Sequence, residues 1–135
     1  MTNMDQFNRA CALIFDKLYE SFPIALSIDH SDWGFFERED SSSELRMLLS
    51  STFVFLADEG YISYNRQDDA NRIKNEMRLT AKGLARLQRI PEGVSNSRKS
   101  LIEQLREAGS SIGGTVTGTA MSEAAKQVLR LIFGG

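Results

Sequence analysis

The chain has one cysteine, Cys11, one histidine, His30, and two prolines, Pro23 and Pro91. A single cysteine excludes an intrachain disulfide, and a reduced thiol on the apolar stripe of a helix fits a cytoplasmic compartment. One histidine and one cysteine supply too few ligands for a structural zinc site, so no metal is expected. No run approaches the ~18–20 apolar residues of a membrane span. The start, MTNMDQFNRA, has neither the basic residues nor the apolar run of a signal peptide. No nucleophile–base pair stands out, and Gly113-Gly114 lacks the lysine and strand context of a phosphate loop. The expectation is a protein that is not an enzyme and carries no cofactor.

What is present is a globular composition. The 135 residues are 41% hydrophobic and 25% charged, enough for an ordinary domain with its own core. The net charge of −2 hides an asymmetry. Residues 1–60 hold four basic against eleven acidic side chains, whereas residues 61–99 hold nine basic against four acidic. Such a molecule offers a local basic surface beside an acidic half.

Along the chain, Met4, Phe7, Cys11, Ile14, Leu18 and Phe22 recur at spacings of three and four, predicting a helix over about 5–21. Pro23 ends it, and Ile24, Leu26 and Ile28 alternate with Ala25 and Ser27 as a short strand with one buried face. Trp33, Phe35 and Phe36 suggest a short helix anchored on the core. Ser41 and Glu44 match a capping box that opens a long helix with Leu45, Leu48, Leu49, Thr52, Phe53 and Leu56 on one face. A break near Ser50-Ser51 is one option, and Gly60 is the expected terminator.

Residues 61–64 and 76–80 read as paired strands, with 65–75 as a polar loop too long for a tight hairpin. Thr80 then caps a helix whose Leu84, Leu87 and Ile90 face inward. Residues 92–100 are linker-like. Ser100 and Glu103 open another helix with Leu101, Leu105, Ala108 and Ile112 on one side. After an uncharged stretch rich in small residues, Ala124, Val128, Leu131 and Ile132 restore an amphipathic pattern. The expected fold is mainly α with a small β-hairpin, an α+β class.

Helix, short strand, helical segment, long helix, glycine, strand, loop, strand is the order of a winged helix. The residues Gly60, Ile62, Leu79, Thr80, Gly83 and Leu84 resemble the wing passage of MarR-like and PadR-like winged-helix proteins. The resemblance covers about residues 4–90. It implies a winged-helix domain over 1–91, followed by a linker at 92–100 and a helical, glycine-spaced extension over 101–135. It also implies a helix before the wing that enters the major groove and a wing that touches the phosphate backbone, as in a bacterial or phage transcriptional regulator acting as a homodimer.

On that reading duplex DNA is the partner. Arg46, Ser50 and Ser51 on the long helix, with Arg66, Arg72 and Lys74 on the wing, are the nucleic-acid-binding candidates. Arg78, Lys82, Arg86 and Arg89 extend the basic set. The long helix is poor in cations, and the loop at Glu37, Glu39 and Asp40 would repel phosphate. A second reading therefore stands beside the first: a non-catalytic protein-interaction module on the same scaffold. Its tail would dock or oligomerise through Gly109, Gly113, Gly114 and Gly118, whose spacing lets helices approach closely. A flexible hinge and peripheral membrane contact are the tail's other readings. If the tail carries the partner surface, a chain ending at Pro91 should lose assembly and stay folded. His30, with Asp29, Asp32 and Glu37 near it, is read as a polar turn residue or helix-start neighbour and not as a metal site, Asp68-Asp69 as a solvated turn, and Cys11 as core packing.

Overall fold

The computed structural model describes residues 3–28, 43–69, 72–91, 99–109 and 123–134, with side chains for 4–26, 47–65, 76–91, 99–107 and 123–134. In chain order the described elements are α1 (Asn3–Ser21), β1 (Leu26–Ile28), α2 (Ser43–Asp58), β2 (Ile62–Asp69), β3 (Arg72–Leu79), α3 (Ala81–Gln88), α4 (Leu101–Gly109) and α5 (Glu123–Gly134). The antiparallel sheet has the order β1-β3-β2. This is the expected α+β class.

The centre of the fold is α1. Cys11, Ile14 and Leu18 of the predicted stripe are fully buried, as is Phe15, while Met4 at its start is exposed. The opposite side of the helix is buried too. At 100° per residue Arg9 and Ala12 point well away from Cys11, yet both are buried. The cause is the C-terminal extension. Arg106 of α4 bonds Asp16 at 2.5 Å and lies 5.1 Å from the Tyr19 ring, and Lys126 of α5 reaches Asp5 at 3.4 Å. α2 and the sheet cover one side of α1 and α4 and α5 cover the other.

The core is continuous between these layers. Leu101, Ile102 and Leu105 of α4 and Ala125, Val128, Leu129 and Ile132 of α5 join the same buried cluster as Leu49, Phe53, Leu79 and Leu87. In α5 the buried position is Ala125, not Ala124, which is exposed. The ends of the linker are tied: the Leu101 N–H donates to Arg89 O at 2.9 Å, and Pro91 is buried. Ser100 accepts from the Glu103 N–H at 3.3 Å, so the serine half of the predicted box forms, whereas the Glu103 carboxylate accepts from the serine's hydroxyl at 3.2 Å and not from its N–H.

Three readings need correction. The 65–75 stretch is not a loop: β2 and β3 pair without interruption from Ile62↔Leu79 to Asp69↔Arg72, leaving only residues 70 and 71 to connect them. Backbone amides form a ladder whatever the side chains, so a polar ribbon away from the core has no apolar signature to read. Ile24 lies outside β1 and is 73% exposed, because the strand starts only at Leu26. Ile90, expected to face inward, is 53% exposed, because α3 ends at Gln88 and the chain leaves it extended at Arg89. The Trp33 segment, Ser41 and Ile112 lie outside the described residues.

Candidate nucleic-acid interface

The junction between α2 and the hairpin is set by two glycines and a threonine. Gly60 has φ +84, the left-handed conformation that closes a helix. Its N–H reaches Ala57 O at 3.0 Å, and the Tyr61 N–H reaches Leu56 O at 2.9 Å. This paired reversal turns Tyr61 and Ile62 into the core, where both are buried. α2 is unbroken at Ser50-Ser51; the buried Thr52 satisfies its hydroxyl by donating to Leu48 O at 2.7 Å.

Thr80 joins the two sides of the junction. Its hydroxyl donates to Gly60 O at 2.5 Å and accepts from the Gly83 N–H at 3.0 Å, capping α3. Replacing Thr80 by Ala removes both bonds and is expected to cost about 1–2 kcal/mol. That lowers the melting temperature by roughly 3–8 °C for a chain of this size. Thr80→Ser should restore most of the loss, and thermal melts of both variants check it. Lys82, counted among the phosphate-contacting cations, has another task. It donates to Glu59 O at 2.7 Å at the C-terminal end of α2 and lies 4.7 Å from the Tyr61 ring centroid.

The solvent face of α2 comes out apolar. Met47 is 69% and Val54 47% exposed, and Ser51 and Asp58 share their side of the helix. Phe55, beside this face, is 42% exposed and meets Phe7 edge-on at 5.4 Å. Ser50 is half-buried, Ser51 exposed, and the Arg46 side chain lies outside the described residues. No described side chain on this face is a cation.

The ribbon register separates the wing candidates. Side chains alternate across a strand, so positions 72, 74, 76 and 78 share a face with 63, 65, 67 and 69, while 66 belongs to the opposite face with Ile62, Met77 and Leu79. Arg72 and Lys74 are therefore brought together with Arg78, and Arg66 is not. The side chains of Arg66, Arg72 and Lys74 themselves lie outside the described residues. Asp68 and Asp69 belong to β2, opposite Ile73 and Arg72, not to a turn.

No protein family, curated protein or solved structure matches the chain.

The remaining candidates are quickly placed. Cys11 is buried, and desolvation pushes its thiol well above the ordinary range, which keeps it protonated. Among the described residues no group of three His, Cys, Asp or Glu is disposed to hold a metal, and no helix is long and apolar enough to cross a membrane. Gly109 ends α4; Gly113, Gly114, Gly118, Asp29, His30, Asp32 and Glu37 lie outside the described residues. Sequence reasoning missed two features. Arg9 is fully buried, and burial lowers its pKa. A groove of about 520 Å³ runs beside α3, between the Phe22-Pro23 turn and β3. Its signal was present in the sequence as an acid-free run from Arg78 to Pro91 with Ala81 and Ala85 one turn apart.

Proposed function

We propose that the protein is a non-catalytic protein-interaction module built on a winged-helix scaffold. The scaffold reading is supported by the element order from α1 to α3 and by the sheet order β1-β3-β2. The observation that carries the functional reading is the solvent face of α2. A helix that reads bases must approach phosphates closely, and affinity there comes from cations. The described side chains on the solvent side of α2 are instead Met47, Val54 and Phe55 with Ser51 and Asp58. Exposed apolar side chains grouped on one helix face favour contact with protein.

The second reading, a DNA-binding regulator, is favoured by one specific observation: the register gathers positions 72, 74 and 78 on one ribbon face. Fluorescence anisotropy with a labelled random-sequence duplex separates the two. The interaction module is expected to show no binding tighter than about 100 μM at low salt, at the weak limit of non-specific DNA binding at physiological salt. Salt-sensitive binding would sink it. In that event, Ala at both Arg72 and Lys74 should reduce the salt slope by about two if the ribbon face contacts phosphate.

A further inference from the structure

We infer that the groove beside α3 is a docking site for an acidic, amphipathic segment of a protein partner. The inference rests on the interaction-module reading and names the partner's chemistry. One wall is α3, which lines the groove with Ala81, Leu84 and Ala85 at spacings of three and one; the other is the Phe22-Pro23 turn. The two alanines, four residues apart, leave room for a partner's side chains between them and the turn. The groove is an open cleft of about 520 Å³, which seats side chains of a partner rather than enclosing a small molecule. The apolar surface continues along the chain at both ends, in Ile24 next to Pro23 and Ile90 two residues beyond Gln88.

Charge decides the occupant. Arg78 lines the groove and is exposed, and among the described residues no carboxylate pairs with it. The segment from Arg78 to Pro91 also holds Lys82, Arg86 and Arg89 and not one acidic residue. Lys82 is held at the end of α2, and Arg86 stands about 140° around α3 from Ala81, so Arg78 sets the sign at the groove. A second copy docking through the same groove would bring Arg78 against Arg78, and like charges in a contact disfavour it. A bilayer is flat and meets a rim before a floor, and a DNA backbone gains nothing from alanine, leucine, phenylalanine and proline walls. An apolar helix face or strand with flanking Asp or Glu satisfies both the walls and the arginine.

The test is selection of random linear peptides, displayed on phage, against the full chain. Enriched peptides are expected to combine Asp or Glu with large apolar residues. Ala85→Trp fills the groove from an exposed position, and Arg78→Glu reverses its charge. Each is expected to weaken a selected, labelled peptide by about tenfold or more in anisotropy while the thermal melt stays unchanged. Gln127→Glu, at an exposed position of α5 that belongs to neither surface, should leave that affinity as it was. Failure of any peptide to enrich, or binding indifferent to both groove variants, overturns the proposal. Peptides lost only with Val54→Glu, on α2, would overturn the groove but leave the interaction-module reading in place. Phosphatidylserine vesicles or random duplex DNA whose binding is abolished by Ala85→Trp would overturn the peptide in favour of that surface.

Discussion

A chain ending at Pro91 is expected to lose its cooperative thermal transition. The deletion removes Leu101, Ile102, Leu105, Ala125, Val128, Leu129 and Ile132 from a described core of twenty-one buried hydrophobic residues. Six of these are large, and full burial of each is worth about 1.5–3 kcal/mol. Their sum, on the order of 10 kcal/mol, matches the whole stability of an ordinary domain. The cut also uncovers the back of α1, where Arg9 and Ala12 are buried. It strips Phe133, whose ring lies 5.3 Å from Tyr61 and 5.8 Å from Phe15 and whose carbonyl accepts from the Tyr61 hydroxyl at 3.3 Å. Far-UV circular dichroism during heating, with an amide proton spectrum of the truncated form, checks this. A truncated chain that melts cooperatively within a few degrees of the full protein would show that α4 and α5 are accessories. Loss of the transition would reverse the idea that the tail can be removed from a folded module, and an assembly test would then use point changes instead.

The second large effect is expected from a single methyl group. A Cβ added to Gly83 would stand 2.0 Å from Tyr61 O and 3.0 Å from its carbonyl carbon. The obstacle is backbone, fixed by the Thr80 N–H at 3.1 Å from that same oxygen and by the helix-ending turn at Gly60. Neither side yields cheaply. Gly83→Ala is expected to destabilise by about 3 kcal/mol, at the high end for forced overpacking. For a chain of this length that lowers the melting temperature by roughly 10 °C. The gain in helix propensity from Gly to Ala, about 1 kcal/mol, works the other way and is too small to compensate. A drop under about 2 °C would mean that α3 slides away from Tyr61, and the close approach would then not be a requirement of the fold.

The junction around Gly83 was largely legible in the residues. Gly60, Thr80 and Gly83 each do locally what their chemistry allows: a left-handed turn, a cap and a close approach. Such roles depend on a few neighbouring backbone atoms, so residue type and spacing reveal them. The wing was less legible. Residues 65–69 and 72–75 pair as strands, yet this polar sequence carries no period-two contrast, and backbone pairing leaves no mark in composition. The candidate site suffered the same way. Lys82 is one cation among several in the sequence, and only its position over Tyr61 and beneath Glu59 O shows that it is occupied.

The sequence by itself determined the described helices, the caps at Thr80 and Ser100, the stop at Gly60 and the burial of Cys11. Periodicity and capping act over a few residues and are written into the chain. Only the tertiary structure decided that the extension is part of the core, that α1 is buried on two sides, and that α2 turns Met47 and Val54 to solvent. Those outcomes follow from which apolar faces meet across distant segments. α1 shows one strong stripe in sequence, and its second face is made of Ala12 and Arg9, whose burial is imposed by α4 and α5 and not by their own hydrophobicity.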